Sequence, residues 1–187
     1  MQVMKAHGVT RFFHFTDVSN LESIKKHGLV PWVSLSSEVK SVNSSDTSRK
    51  LDAEKGLSNF VRLSFCKRSP MMFVALKDRR IVRPVILEIK LEVVSRPGVL
   101  FCEQNAAAKN AWPSPDPRVV NFDVVKAKSY FDIPKKHQYP YQAEVLVHRR
   151  YLRTSFAFLK SMPGTSQSLL QQLLRLPHKE QNLLTFL

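Results

Sequence analysis

The sequence predicts an α+β domain, and three observations carry that prediction. Short alternating apolar segments recur at RFFHFT (11–16), FVRLSF (60–65) and AEVLV (143–147), each of strand length. A helix signal follows the first of them: Ser19 and Glu22 have capping-box spacing, Leu21 and Ile24 give an apolar stripe, and Gly28 follows Lys25, Lys26 and His27 as a C′ glycine would. Residues 34–56 are polar and serine-rich without clear periodicity, and read as a loop or lid with a helical turn around Arg49–Lys55.

The remaining elements follow in order. MMFVALK reads as a further strand or as the start of a buried helix. Ile81–Val94 alternates as one long strand, with Pro84 near its start. FDVVKAKSYF reads as a helix, and DIPKKHQYPY links it to the strand Ala143–Val147. From about Ser166 a leucine-rich amphipathic helix runs to Pro177. The division expected is one domain over 1–158 and a helical extension over 159–187.

Charge narrows the function. Lys and Arg total 29 against 15 acids, a net charge of +14. Such an excess on one compact domain implies a polyanionic partner, nucleic acid first. No basic amphipathic helix has a strong apolar face, and no apolar run is long enough to span a bilayer, so no membrane partner is expected. The N-terminal residues lack a secretion pattern, so the expected location is cytoplasmic. Cys66 and Cys102 lie far apart and have no ligand-spaced neighbours; two reduced, buried thiols are expected rather than a metal site or a disulfide.

One residue stands out against this background. Glu144 is a carboxylate inside an apolar strand. Burying it without a partner costs several kcal/mol, so it sits at a wet end, pairs with a cation, or serves chemistry. At the other end of the chain, alternation in RFFHFT projects His14 and Thr16 from one face, with Asn20 just beyond at the helix start. Alone, His14 reads as a hydrogen-bonded core histidine. Together the three residues suit a ribose or amide held beside the amides of a helix start.

Taken in order, HFTDVSNLESIKKHGL, FVRLSFCKRSPMMF and QAEVLVHRR resemble the DarT family of nucleic-acid ADP-ribosyltransferase toxins, from about Arg11 to Arg153. The segment VLFCEQNAA resembles the family's stretch before the catalytic strand. The resemblance implies an ADP-ribosyltransferase-type core, a split mixed β-sheet flanked by helices. It implies NAD+ as a consumed substrate, no metal, and transfer of ADP-ribose to a base of single-stranded DNA or, in a related branch, of messenger RNA. It also implies a toxin with a partner antitoxin, commonly a macrodomain.

Residue by residue, the resemblance makes Glu144 the catalytic carboxylate and Arg49 the arginine on the loop over NAD+. It matches His14, Thr16 and Asn20 to the NAD+-binding element, and Arg68 and Met71 to the part facing nucleic acid. Asn105 stands where some relatives carry a histidine near the target base, and Ser64 where relatives that modify thymine often carry tyrosine. Arg149 is a candidate phosphate contact. Phe65 is a candidate nicotinamide contact or, equally, a core strand residue. The chemistry fits this set. Cleaving the nicotinamide–ribose bond builds positive charge on the ribose, which a fixed carboxylate stabilises. The competing readings are a non-catalytic nucleic-acid-binding module, a structural RNA-associated protein and modification of an acidic protein.

Overall fold

The computed structural model describes residues 1–34, 46–128, 130 and 133–148. Five strands form one sheet in the order β3-β1-β2-β5-β4: β1 Arg11–Asp17, β2 Phe60–Ser64, β3 Pro84–Lys90, β4 Leu100–Cys102 and β5 Glu144–His148. The α+β class is as expected. Every pairing among the described residues is antiparallel, where a mixed sheet was expected.

The sheet has a seam. β1 pairs with β3 over seven positions, from Arg11 opposite Lys90 to Asp17 opposite Pro84. β2 pairs with β5 from Phe60 opposite His148 to Ser64 opposite Glu144. β1 meets β2 at Phe13 opposite Ser64. Past that point His14 places its ring against the β2 backbone.

Both sheet faces are covered by apolar packing. On one face Phe12, Leu63, Leu87, Ile89, Val145 and Val147 form the largest core cluster, closed by Met4 of α1 (Gln2–Ala6) and by Val93, Val120 and Phe122. On the other face, α4 (Pro70–Lys77) lays Met72, Phe73 and Leu76 against Ile86, Phe13 and Phe15. On that same face, at the far edge of the sheet, Leu146 and Cys102 pack with Leu57, Ala106 and Ala111. Between these two clusters alternation sets Arg62, Ser64 and Glu144, the polar residues of β2 and β5.

Several local expectations change. MMFVALK takes the helical one of its two expected forms, as α4, because Ser69 accepts the Met71 amide as its N-cap and Pro70 stands at the first turn. β3 ends at Lys90, where Leu91–Ser95 tightens into a 3₁₀ turn that buries Leu91 and Val93. The helix after Asn121 is one turn long, α5 Phe122–Val125. α2 is Leu21–His27, and Gly28 closes it at φ 80°, a conformation that costs glycine little. The expected Ser19 capping box is replaced by an Asp17 cap. The Asp17 carboxylate accepts from the Ser19 amide and hydroxyl with one oxygen and from the Val82 and Arg83 amides with the other. A carboxylate outcompetes a hydroxyl as acceptor, and this one ties β1 to the start of β3 as well. The extension over 159–187 lies outside the described residues.

Candidate active site

Glu144 opens β5 with its side chain 15% exposed. One carboxylate oxygen accepts the Ala106 amide at 2.8 Å and stands 3.7 Å from Nη1 of Arg62. Burial raises its pKa above the usual carboxylate range, and the Arg62 guanidinium and the Ala106 amide pull the other way. The result is a desolvated carboxylate held by one amide donor and faced by one guanidinium.

Arg62 links the site together. Its Nη2 pairs with the buried carboxylate of Asp52, and its Nη1 also donates to Asn105 Oδ1 at 3.3 Å. Its backbone carbonyl lies 3.1 Å from His14 Nδ1. A carbonyl only accepts, so His14 carries its proton on Nδ1, and Nε2 is the acceptor. Burial lowers the His14 pKa, against the pull of that hydrogen bond, so the ring is neutral at pH 7. One residue thus touches His14 through its backbone and Glu144 through its side chain.

The loop carrying Ala106 is fixed from α3 (Asp46–Glu54). Just past that helix, Lys55 sends its ammonium into the loop and donates to the carbonyls of Ala106 (3.0 Å), Ala108 and Ala111 (2.9 Å). Its charge also lies 6.0 Å from the Trp112 ring centre. Within the loop, Asn105 Oδ1 accepts the Ala107 amide at 2.9 Å. The Glu144 environment is therefore gripped twice from this segment, by Asp52 of α3 on Arg62 and by Lys55 just past it on the loop.

The expected residues lie in the fold as follows. Glu144, His14 and Asn105 meet around Arg62. Thr16 Oγ1 accepts from Asn20 Nδ2 at 2.9 Å, so these two brace the strand-to-helix junction beside His14. Arg49 lies on α3 three residues before Asp52, hence on the same helix face, with its guanidinium 5.8 Å from the Trp32 ring centre. Arg68 is exposed just before α4, and Met71 is half-buried in its first turn. Phe65 is a core ring, 7% exposed, edge-on to Phe12 at 5.2 Å and to Phe122 at 5.9 Å. It packs in one cluster with Val61 and Leu63, away from the Arg62–Ser64 face, so of its two expected roles the packing matches the core one. Arg149 lies outside the described residues.

Arg62, Asp52, Lys55 and the Ala106 amide are site residues that sequence reasoning did not single out. Arg62 had a signal: it is the one cation inside FVRLSF. The others had none, since each acts across the fold. Cys66 and Cys102 are free and buried, and burial pushes their thiols up to about 11 and about 12, so neither is a nucleophile at neutral pH. Among the described residues no group of three or more His, Cys, Asp or Glu could hold a metal ion, and no helix is long and apolar enough to cross a membrane.

The family model described as ssDNA thymidine ADP-ribosyltransferase, DarT, matches residues 13–160. The chain belongs to the DarT family. Its fold is similar to that of Thermus sp. 2.9 DarT in complex with ADP-ribosylated ssDNA, with a TM-score of 0.69 at 15% identity, covering 90% of this chain and 88% of that one. The same Thermus DarT in complex with NAD+ gives a TM-score of 0.63 at 16% identity over 89% of both chains. Thermosipho africanus DarTG in complex with ADP-ribose gives 0.58 at 18% identity, over 87% of this chain and 46% of that one. At these identities the likeness establishes the fold. No curated protein matches the chain in sequence.

Proposed function

We propose that this DarT-family chain transfers ADP-ribose from NAD+ to a base of single-stranded DNA, with Glu144 as the catalytic carboxylate. The observation that carries the reading is the desolvated Glu144, held by the Ala106 amide and by Arg62 beside the seam where His14 sits. The family description names the same reaction class.

The chemistry follows from these groups. The bond from nicotinamide nitrogen to ribose C1′ breaks and its electron pair leaves with nicotinamide. Positive charge grows on the ribose ring, and the Glu144 carboxylate stabilises it at close range in a site of low dielectric. A nitrogen or oxygen of the acceptor base bonds to C1′, and the proton that base loses passes to Glu144. The raised pKa makes Glu144 a better proton acceptor than a solvated carboxylate. Neutral His14 accepts a ribose hydroxyl proton at Nε2, with Thr16 and Asn20 fixing the turn beside it. Arg49 on α3 supplies charge to the pyrophosphate. Buried Asn105, next to the Ala106 amide, faces the acceptor side, while Arg68 and Met71 contact the strand.

A toxin role, paired with an antitoxin, rests on the family resemblance, as does the alternative of messenger RNA as carrier. Ser64, opposite Glu144 in the register, and Asn105 are the positions at which acceptor choice is read. The test is competition: equal amounts of single-stranded DNA and RNA of matched sequence, NAD+ and the protein, followed by mass analysis of both strands. ADP-ribose on the DNA supports the reading. ADP-ribose on the RNA alone moves the carrier and keeps the mechanism.

A further inference from the structure

Five of the chain's cations gather outside the catalytic cluster. Arg11, Lys67, Arg68, Lys126 and Lys128 line one open groove of about 370 Å³. Its floor is apolar, with Phe13, Phe65 and Val125. The carboxylates these cations reach among the described residues are Glu88, shared by Arg11 and Lys67, and Asp123, beside Lys126 at 3.4 Å. Positive charge is therefore in excess, and Arg11, Arg68, Lys126 and Lys128 are exposed.

The groove's position gives that charge a meaning. Lys67 and Arg68 follow Ser64, which pairs with Glu144, and Tyr141 at the groove precedes Glu144 by three residues. Chain connectivity thus joins the groove to the candidate catalytic carboxylate from both β2 and the segment before β5. A cation-lined track over an apolar floor is the physical pattern that holds single-stranded nucleic acid without reading its sequence.

We propose that this groove is a phosphodiester subsite for the nucleic acid flanking the acceptor base, with Lys126 and Lys128 as its outer phosphate contacts. The proposal rests on the reading of the chain as a nucleic-acid modifier and extends it to a second site. The segment 125–128 then acts in acceptor binding only, and NAD+ cleavage proceeds without it. A strand long enough to lie in the groove gains affinity over one that carries little more than the acceptor base.

The test is the double variant Lys126→Gln/Lys128→Gln, with Lys25→Gln/Lys26→Gln on α2 as a control of equal charge. Both pairs are exposed, so folding is unaffected. Binding to single-stranded DNA, read by fluorescence anisotropy between 50 and 200 mM salt, gives the slope of log affinity against log salt. Two lost phosphate contacts reduce that slope by about 1.4, at about 0.7 per contact on single strands. The groove variant shows this loss and weaker transfer to a twelve-nucleotide acceptor, while transfer to a trinucleotide and hydrolysis of NAD+ are unchanged. An unchanged slope, an equal fall in the Lys25/Lys26 control, or an equal fall on short and long acceptors overturns the proposal. Absence of any transfer by the wild-type protein overturns the transferase reading instead, and the anisotropy slopes still decide the groove.

Discussion

The Arg62 guanidinium stands 3.7 Å from the Glu144 carboxylate while pairing with Asp52 on its other side. The cation therefore does two jobs that pull on its charge. It neutralises a buried aspartate on α3, and it holds down the proton affinity of the candidate catalytic group. Removing it affects stability and chemistry separately.

Arg62→Met leaves Asp52 buried without its cation and raises the Glu144 pKa further. Breaking a buried pair from one side costs about 3–5 kcal/mol, so the variant unfolds at lower denaturant. Activity needs Glu144 ionised, so it falls as pH drops through the Glu144 pKa. That acid limb already lies above the usual carboxylate range, and in Arg62→Met it moves to higher pH. The double variant Asp52→Asn/Arg62→Met regains part of the stability and keeps the shifted limb. Chemical unfolding and a pH–rate profile measure the two effects.

Lys55→Met removes the ammonium from three loop carbonyls and loosens the Ala106 amide that Glu144 depends on. A small misplacement of a reacting group costs up to about 10²-fold in rate. The expected result is a fall of about ten- to a hundredfold in kcat with little change in KM for NAD+, partly restored in Lys55→Arg. Steady-state kinetics of NAD+ hydrolysis reads the split.

His14→Phe removes the Nε2 acceptor and the bond to the Arg62 carbonyl. The expected change is a rise in KM for NAD+, with transfer reduced. In the wild type, protonating His14 converts Nε2 from acceptor to donor. Because burial lowers its pKa, NAD+ binding weakens only as pH falls below the ordinary imidazole range. Isothermal titration of NAD+ against pH separates this fall from the Glu144 limb.

Asp17 gives a stability prediction that leaves the chemistry aside. Burial works against its ionised form, yet the amides of Ser19, Arg83 and Val82 and the Ser19 hydroxyl hold its pKa down to about 2. An acid with a depressed folded pKa stabilises the fold above its unfolded value near 4. That stability is lost as pH falls from about 4 toward 2. Asp17→Ala costs about 1–3 kcal/mol at pH 7 and flattens the pH dependence of unfolding in that window. Thermal unfolding across the acid range measures it.

How much of this was legible in the sequence depends on the range of each interaction. His14, Thr16 and Asn20 act within one strand-to-helix junction, and Glu144 is conspicuous as a charge in an apolar strand, so all four could be read locally. The strand alternation that exposes Arg62 also assigns Phe65 to the core. What the sequence does not carry is which strand lies beside which. Arg62 meets Glu144, and Lys55 meets the 106–111 loop, only because the sheet order sets β2 between β1 and β5. Asp17 was missed for a different reason: its nearest partner is local, but two of its four donors come from residues 82 and 83.

The central claim is that the Glu144 carboxylate performs the transfer. It is tested most directly by the rate of ADP-ribose addition to a single-stranded DNA, followed by intact mass, for the wild type and Glu144→Gln under saturating NAD+. Glutamine keeps the shape and the Ala106 hydrogen bond while removing the charge and the base. The account predicts one ADP-ribose per acceptor for the wild type and a fall on the order of 10²–10⁴-fold in the variant, with NAD+ still bound. Transfer at an undiminished rate in Glu144→Gln would contradict it.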